Sequence, residues 1–459
     1  MRRWLYIFIL LIIFVLFVLL YSLRFRPKEP AGTLPAPKAV ENKLIIISPH
    51  WEGIRQEFTR AFQRWYREQA GVEVEVEWLD QGGTSDDLRY VKSEFSRRPE
   101  GIDIDLFFGG GKDIYLELGR LGLLLAYKIP DEVLEEIPAT FSGITLRDPQ
   151  YRWYGAALSG FGVIYNKVIL QENNLPVPED WEDLADPLYF GWVGSGDPRS
   201  SGTARMMYEI ILQAYGFEKG FDIITRMSGN VRSFTRSSSD VPKDVTLGEA
   251  AVGLAIDFYA WSEIERAGEE KIGYVLPRRL TVINPDSIGI LRGAPHPEVA
   301  KDFLRFVLSE EAQRLWMLRK GTPGGPQEFE LLRMPVLPAM YEKYKDQSSV
   351  KLNPFQWGEA FDYDSEKGAR RYGILNDFLG AMVIDTHDEL KAAWKAVIEA
   401  GTPEELVKEL ARAPLSEAEL LHLAESTWSD QRVRNETIAR WVQFALDKYA
   451  RVKKHAQQS

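Results

Sequence analysis

The chain has 459 residues, a formal net charge of −11 at pH 7 and no cysteine, and 45% of its residues are hydrophobic. A chain of this length accommodates two or three domains, and its acidic balance argues against nucleic acid as the main partner. Without cysteine, disulfides, thiolate metal sites and cysteine nucleophiles are excluded.

The first predicted element is an uncharged apolar segment, WLYIFILLIIFVLFVLLYSL, at residues 4–23. About 20 apolar residues in a helix span about 30 Å, the thickness of the hydrocarbon core of a bilayer. A cleavable signal peptide has a shorter apolar region followed by small residues, and this pattern is absent here. We therefore expect a transmembrane signal anchor at 4–23 and a Pro-rich tether at 24–42 that holds the soluble part away from the membrane.

After the tether, segments with the pattern of strands alternate with segments with the pattern of helices. The predicted strands are KLIIIS (43–48), VEVEVEWLD (72–80), IDIDLFF (102–108), AAVGLAIDF (250–258) and SIGIL (287–291). Alternating strands and helices are typical of an α/β fold with mainly parallel sheets. From about residue 346 the pattern is helical almost throughout.

Loops rich in glycine and hydroxyl side chains flank these strands. They are SPHWE after the first strand, DQGGTSDD after the second, GGGKD after the third and RSSSDVPKD before the fourth. One Gly-Gly pair is equally well explained as a tight turn. Ligands of open α/β sheets, however, bind beyond the carboxyl ends of strands, so the whole set favours a ligand-binding cleft.

The segment GSGDPRSSGT, residues 194–203, directly precedes a predicted amphipathic helix that ends near Gly216. The free backbone N–H groups of a helix N-terminus and three nearby hydroxyls suit the binding of an anion. A single hydroxyl, that of Ser201 or Thr203, would also suit a simple helix N-cap. Both interpretations stay open at this point.

Six segments in order form a distinctive set: GGTSDDL (82–88), DIDLFFGGGKD (103–113), YRWYGAALSGFGVIYNKVIL (151–170), DWEDLADPLYFGWVGSGDPRSSGT (180–203), SSSDVPKDVTLGEAAVGLAIDF (237–258) and INPDSIGILRGAPHPEVAKDFLRFVLSEEAQRLW (283–316). In these segments the soluble part resembles the extracytoplasmic solute-binding proteins of ABC importers, in the group that binds ferric iron, thiamine, phosphonates and sugar phosphates. The resemblance covers roughly residues 43–325 and does not extend to the last 110 or so residues.

The resemblance implies an α/β fold of the periplasmic binding protein type 2 class, with two lobes joined by a hinge around a cleft. The crossing strands would lie near residues 155–159 and 282–288. The implied parts are lobe one at 43–155 plus 285–340, lobe two at 156–284 and a helical C-terminal extension at 341–459.

The resemblance also implies the function. The chain would be a single-pass protein of the cytoplasmic membrane with its soluble body on the extracytoplasmic (periplasmic) side, handing a small solute to an ABC importer permease. No cofactor, nucleic acid or enzymatic activity is implied, and the sequence contains no G-x-S-x-G, phosphate-binding P-loop or H-E-x-x-H motif.

In the ferric-iron members of this group, a histidine, a glutamate and two adjacent tyrosines hold the metal. His50 lies where that histidine is expected, and Tyr259 matches one of the tyrosines. Phe258 replaces the other tyrosine, and the glycines around Gly110 replace the glutamate. Ferric iron held by His50 and Tyr259 is therefore the alternative, and we predict no other metal site.

The preferred ligand is a small solute that carries an oxyanion, such as a phosphate or phosphonate. Backbone amides and hydroxyls at helix N-termini bind the oxygens of such groups, and carboxylates suit a cationic or hydroxylated part of the solute. The predicted ligand-binding residues are His50, Gly83, Thr84, Ser85, Gly110, Gly111, Ser159, Ser200, Ser201, Gly202, Thr203, Ser237, Ser238, Ser239, Asp257, Tyr259 and Asp286.

Two further functions remain as alternatives: an extracytoplasmic sensor that needs a partner protein, and an assembly scaffold that binds no solute. The last predicted helix bears on the scaffold because it either docks a partner or packs on a lobe. Its apolar face, formed by Ile438, Trp441, Val442 and Ala445, favours packing.

Overall fold

The computed structural model describes residues 42–141, 143–358 and 361–458. The predicted anchor at 4–23, and all of the predicted tether except Asn42, lie outside these ranges. No helix within them is both long enough and apolar enough to cross a bilayer.

Strands and helices alternate through the first two thirds of the described chain, as predicted. The strands are β1 (Lys43–Ile47), β2 (Glu75–Leu79), β3 (Leu106–Gly111), β4 (Leu124–Leu125), β5 (Thr140–Phe141), β6 (Ile144–Thr145), β7 (Tyr154–Asn166), β8 (Val193–Gly196), β9 (Val231–Thr235), β10 (Val252–Ile256), β11 (Ile272–Val275) and β12 (Ile283–Leu291).

The α-helices follow one another without intervening strands in the C-terminal part of the described chain. They are α1 (Glu52–Ala70), α2 (Thr84–Arg97), α3 (Lys112–Arg120), α4 (Asp131–Leu134), α5 (Lys167–Glu172), α6 (Gly202–Ala214), α7 (Phe217–Asn230), α8 (Asp240–Leu247), α9 (Asp257–Ala267), α10 (Pro297–Leu308), α11 (Glu310–Met317), α12 (Ala339–Lys343), α13 (Ser365–Arg370), α14 (Tyr372–Leu379), α15 (His387–Glu399), α16 (Glu404–Ala411), α17 (Glu417–Ser426) and α18 (Gln431–Ala456). Short 3₁₀ turns lie at Asp183–Ala185, Pro187–Tyr189 and Pro354–Gln356, and a π-helical turn at Gly380–Ile384.

Two long strands join the two halves of the sheet system. The strand order is β2-β1-β3-β12-β7-β10-β8-β9, with β4 beside β12 and β11 beside β7. Strand β7 pairs antiparallel with β12 as far as Gly160 and with β10 from Phe161 onward. The parallel pairs β1–β2, β1–β3, β10–β8 and β8–β9 lie on either side of this crossing. The fold is therefore a mixed α/β fold of two lobes, and β7 passes from one lobe to the other near Gly160.

Each lobe has its own apolar core. One core forms where α1, α10 and α11 cover the sheet around β1, and the Phe58 and Trp316 rings lie 4.4 Å apart within it. The other core surrounds α6 and α7 and includes the C-terminal helices, with Trp394 of α15 at 1% exposure. Burying each such side chain contributes about 1.5–3 kcal/mol.

The packing of the last helix agrees with its apolar pattern. Trp441 of α18 stacks on Trp428 at 5.3 Å and meets the edge of Phe378 at the same distance. Ala445 is fully buried. The prediction that this face packs on the body of the protein is confirmed.

Three local predictions differ from the structure. Strand β2 begins at Glu75 rather than Val72, because β1, its only neighbour in the described part of the chain, begins at Lys43, opposite Glu75. The strand predicted over 250–258 ends at Ile256, and α9 begins at Asp257, whose carboxylate accepts the N–H of Phe258. The continuous helical region begins at residue 365 rather than 346. A short 3₁₀ turn at Pro354–Gln356, capped by the side chain of Asn353, lies in the stretch that was predicted to be helical.

Candidate functional site

A cavity of about 90 Å³ lies where β7 crosses between the lobes. One water molecule needs about 10–15 Å³ by a comparable measure, so the space suits a small solute rather than a peptide. The lining residues are Pro49, His50, Thr84, Gly110, Gly111, Asp113, Ile114, Ser159, Phe161, Gly202, Thr203, Arg205, Met206, Ile256, Phe258, Tyr259, Asn284, Pro285, Asp286, Arg333 and Tyr372.

Helices α2, α3 and α6 begin at this cavity. Thr84 is the first residue of α2, Gly111 directly precedes α3, and Gly202 is the first residue of α6. Among the described residues, no side chain caps α2 or α3. Because the first backbone N–H groups of a helix lack intrahelical partners and lie at the positive end of its dipole, the three helix starts form a surface that favours negative charge.

Gly202 allows the lobes to approach closely at this place. A Cβ atom at Gly202 would lie only 2.6 Å from the Cβ of Thr84, which belongs to the opposite lobe. Any larger residue at this position would push the starts of α6 and α2 apart. The glycine in the SSGT segment is thus explained by packing across the cleft.

Arg333 anchors one wall of the cavity, and its side chain is only 2% exposed. Its Nη1 donates a hydrogen bond of 2.7 Å to Asp286 Oδ2, and its Nη2 donates one of 2.9 Å to Ser159 Oγ. The guanidinium lies 4.3 Å from the centre of the Phe258 ring. Burial by itself would raise the pKa of the Asp286 carboxyl, but Arg333 and His50 hold that pKa below its ordinary value. Asp286 is therefore a carboxylate at neutral pH.

His50 completes this group. Its Nε2 lies 2.8 Å from Asp286 Oδ2 and 3.2 Å from Arg333 Nη1. Burial lowers the pKa of His50 despite the attraction of Asp286, so the imidazole is neutral at pH 7 and donates through Nε2.

A second buried ion pair forms the opposite wall. Arg205 Nη1 of α6 donates a hydrogen bond of 2.8 Å to Asp113 Oδ2 of α3. The hydroxyl of Tyr363 donates one of 2.7 Å to the same oxygen. Behind them, burial by itself would raise the pKa of Glu209, but Arg371 and Arg205 lower it to about 2.

Several buried atoms of the cavity-lining residues have no hydrogen-bond partner within the described part of the chain. They are the donors Arg205 Nε and Arg333 Nε, the acceptors Asp113 Oδ1 and Asn284 Oδ1, and His50 Nδ1. Buried polar groups are normally paired, so such a concentration at one cavity indicates a place for a ligand. The free donors suit an oxyanion, and the free acceptors suit hydroxyl groups.

The structure brings many of the sequence-predicted residues together around the cavity. Those that line it are His50, Thr84, Gly110, Gly111, Ser159, Gly202, Thr203, Tyr259 and Asp286. Those outside its lining are Gly83, Ser85, Ser200, Ser201, Ser237, Ser238, Ser239 and Asp257.

Internal hydrogen bonds engage most of the residues in the second group. The Ser201 hydroxyl accepts the N–H of Ala204, so it caps α6, and it also bonds the Ser238 hydroxyl. Asp257 accepts the backbone N–H groups of Gly160 and Phe258. The remaining contacts are those of Ser85 with Pro198 and Tyr372, of Ser237 with Ser239, and of Gly83 packed against the Ser200 backbone.

Sequence reasoning missed five polar residues of the cavity. Asp113 lies within a quoted motif and Arg205 lies two residues beyond another, so these motifs could have identified both as candidate site residues. Asn284 is in the predicted crossing strand. Arg333 and Tyr372 lie outside every recognised motif, and no local pattern marks them.

The donor set around His50 favours an anion over a metal ion. Within the described residues, no group of three or more His, Cys, Asp or Glu side chains could hold one. The Arg333 guanidinium already lies beside His50 and Asp286, so a metal cation there would face a second positive charge. Burial raises the pKa of Tyr259 to about 12, so its phenol is protonated at neutral pH in the metal-free protein.

Comparison with known proteins gives a family model and several relatives. Residues 110–359 match the model described as "Bacterial extracellular solute-binding protein". The phosphoglycerate transport regulatory protein PgtC of Salmonella typhimurium is 27% identical over 184 residues, which is 40% of this chain and 45% of PgtC. The chain spans about half the length of the curated relatives that it matches first.

Two solved structures share the fold. The periplasmic binding protein AfuA of Actinobacillus pleuropneumoniae, with exogenous fructose-6-phosphate bound, superposes with a TM-score of 0.58 at 23% identity, over 78% of this chain and 98% of AfuA. Iron-bound HitA of Pseudomonas aeruginosa superposes with a TM-score of 0.57 at 19% identity, over 74% of this chain and 99% of HitA. At these identities the likeness concerns the fold alone.

Proposed function

Because its residues 110–359, more than half of the chain, match their family model, the protein belongs to the bacterial extracellular solute-binding proteins, and we propose that it captures a small oxyanion-bearing solute in the cavity between its lobes. The solute carries a phosphate or phosphonate group and at least one hydroxyl. The protein then delivers it to the permease of an ABC importer.

The unpartnered polar atoms of the cavity carry this proposal. The two arginine Nε groups, with the starts of α2, α3 and α6, are donors for the oxyanion. The free oxygens of Asp113 and Asn284 are acceptors for hydroxyls. The carboxylates of Asp257 and Asp286, which were expected to bind the polar part of the solute, are instead engaged with protein donors.

Two of the relatives support the same class of solute. AfuA was solved with a sugar phosphate, and the name of PgtC refers to phosphoglycerate transport. HitA was solved with iron, but in this chain the Arg333 guanidinium lies beside His50 and Asp286 and disfavours a metal cation there. A phosphorylated small molecule is therefore the preferred solute, and ferric iron is the alternative that the experiment below tests.

The proposal includes the architecture expected from the sequence. Residues 4–23 anchor the chain in the cytoplasmic membrane, and the tether at 24–42 holds the body on the periplasmic side. Lobe one comprises 43–155 and 285–340, and lobe two comprises 156–284. The lobes close by a hinge motion at the crossing strands, because only the closed state surrounds the solute.

The test uses the full chain in detergent, titrated calorimetrically with inorganic phosphate, glycerol 3-phosphate, fructose 6-phosphate and ferric citrate. We expect at least one phosphate compound to bind. The decisive variant is Asn284→Asp, which adds a carboxylate to the cavity with almost no change in shape. Like-charge repulsion should lower the affinity for the phosphate compound at least tenfold, which is a change of about 1.4 kcal/mol in the binding free energy.

The matched control is Asn435→Asp on the exposed surface of α18, where the side chain accepts a hydrogen bond from Gln431 that an aspartate also accepts. It should leave binding unchanged. Ferric binding that Asn284→Asp strengthens, without phosphate binding, would make iron the ligand. Binding of none of the four would contradict a solute of either class.

A further inference from the structure

The segment just beyond the family match reaches the cavity through Tyr372. The match ends at residue 359, and the described chain resumes at 361. Two tyrosines of this stretch, Tyr363 and Tyr372, contact the polar walls of the cavity, and Tyr372 is part of its lining. The cavity is therefore bounded partly by a segment that lies outside the family match.

This segment is attached to lobe two by a buried ion pair. Arg371 donates to both carboxylate oxygens of Glu209 in α6, at 2.6–3.0 Å, and both side chains are fully buried. The following helix, α14, places Leu375 and Phe378 in the same apolar core as α7. The segment thus has a fixed base on lobe two.

From this base the segment reaches lobe one. The hydroxyl of Tyr372 lies 2.9 Å from that of Ser85 in α2, and Tyr363 donates to Asp113 in α3. Helix α13 packs directly on α3, and a Cβ at Gly368 would lie only 2.5 Å from the Asp113 carboxylate. Two hydroxyls and one closely packed glycine thus take part in the contact with lobe one.

The contact with Tyr363 determines how Asp113 faces the cavity. Asp113 Oδ2 accepts from both Tyr363 and Arg205, and Oδ1 has no partner within the described residues. With one oxygen held by two donors, the carboxylate cannot rotate without losing both hydrogen bonds. Oδ1 is therefore kept available as an acceptor.

Tyr372 acts on the size of the cavity and on Arg205. Its ring lies 4.3 Å from the Arg205 guanidinium, a cation–π contact that holds the guanidinium in place. Because the ring also lines the cavity and is fixed through its hydroxyl to Ser85, it limits the space beside Arg205.

We propose that residues 361–372 form a wall of the solute site, in which Tyr363 positions Asp113 to accept a hydrogen bond from a hydroxyl of the solute and Tyr372 limits the size of the solute. This inference rests on the function proposed above. It makes the C-terminal extension a determinant of solute specificity, in addition to a part of the core of lobe two.

The test compares three probes on the full chain by titration calorimetry: inorganic phosphate, glycerol 3-phosphate and fructose 6-phosphate. Tyr363→Phe removes one hydroxyl and keeps the ring. It should lower the affinity for the two organic phosphates about tenfold. The affinity for inorganic phosphate should stay unchanged, because inorganic phosphate has no alcohol group that needs Asp113 as an acceptor. Tyr372→Ala should shift the ratio of affinities toward fructose 6-phosphate at least fivefold, because it enlarges the cavity.

Tyr344→Phe is the matched control, since it also removes a hydroxyl that bonds a carboxylate, that of Glu310, away from the cavity. It should change none of the affinities. Tyr372→Leu replaces Tyr372→Ala if the alanine variant does not fold. Equal weakening of all probes by Tyr363→Phe, or an unchanged affinity ratio in the Tyr372 variant, would overturn the inference while the proposed function stands. Failure of the wild-type chain to bind any probe would overturn both.

Discussion

Arg205 and Asp113 form a buried ion pair across the cleft, at 2.8 Å and with side-chain exposures of 1% and 3%. The two residues are 92 positions apart, and they belong to α6 and α3, whose first turns face the same cavity. The pair therefore links the lobes at the place where the solute would bind. It also keeps the charge of the cavity balanced before a solute enters.

Removing one member of this pair should destabilise the protein strongly. Arg205→Met leaves the Asp113 carboxylate buried without its cation, which we expect to lower the free energy of unfolding by about 3–5 kcal/mol. Chemical denaturation monitored by tryptophan fluorescence measures this change. The double variant Arg205→Met with Asp113→Asn should recover most of the loss.

The control is the exposed pair of Arg432 and Glu436 on α18, with side-chain exposures of 87% and 60%. Arg432→Met should cost at most about 1 kcal/mol. Similar costs for the two single variants would contradict the structural role of the Arg205 pair.

A methyl group at Gly202 should impair lobe closure. Gly202→Ala places a Cβ 2.6 Å from the Cβ of Thr84, so the closed cleft would have to open. We expect the dissociation constant of the best-binding phosphate compound to rise at least tenfold, as measured by titration calorimetry. The control Gly373→Ala adds a methyl group with no atom within 4 Å and should leave binding unchanged. Unchanged binding by Gly202→Ala would contradict closure at this contact.

Asp87 should make the stability of the protein depend on pH. Its Oδ1 accepts the N–H of Gln81 at 2.8 Å and its Oδ2 has no partner within the described residues, while burial raises its pKa to about 8. The unfolded chain loses this proton near pH 4 and the folded chain retains it to about pH 8, so the free energy of unfolding should fall as pH rises between these values.

Asp87→Asn should remove this decrease, and comparison with the wild type isolates it from the other titrating groups. Melting temperatures between pH 4.5 and pH 8 measure the difference. Asp131→Asn, at a position with 64% side-chain exposure, is the control. Parallel pH profiles of the wild type and Asp87→Asn would contradict the protonated state of Asp87.

Lys448 should make the free energy of unfolding rise with pH above about pH 7, which is opposite in sign to the effect of Asp87. It is fully buried in α18, donates to the carbonyl of Arg412, and lies 5.9 Å from the ring of Phe221 in α7. Burial lowers its pKa to about 7. Above that value the unfolded chain binds a proton that the folded chain lacks, up to about pH 10.4, so stability should rise with pH in this range.

Lys448→Met should remove this rise and stabilise the protein at pH 7, because it fills the same space without a buried amine. The melting temperature between pH 7 and pH 9.5 measures the effect. Lys395→Met on α15, at 61% side-chain exposure, is the control. Destabilisation by Lys448→Met at every pH would show that the amine is needed for packing.

The local patterns of the sequence predicted the elements well. Alternation of apolar residues, helical spacing and glycine-rich strand ends depend on neighbours along the chain, so β1, β3, β10 and the start of α6 were all recognised. The same local signals predicted that residues such as Thr84, Gly111 and Gly202 would lie at one edge of the sheet system. The sequence also provides the evidence for the anchor at 4–23, which lies outside the described residues.

The chemistry of the site was decided by tertiary structure. Ser201 could be a ligand or a cap by sequence, and its contacts with Ala204 and Ser238 make it a cap. Arg333 comes from an irregular segment 283 residues beyond His50, and Tyr372 comes from the extension, yet both line the cavity. No short-range pattern marks such residues, because their role depends on desolvation and on partners that only folding brings within a few ångströms.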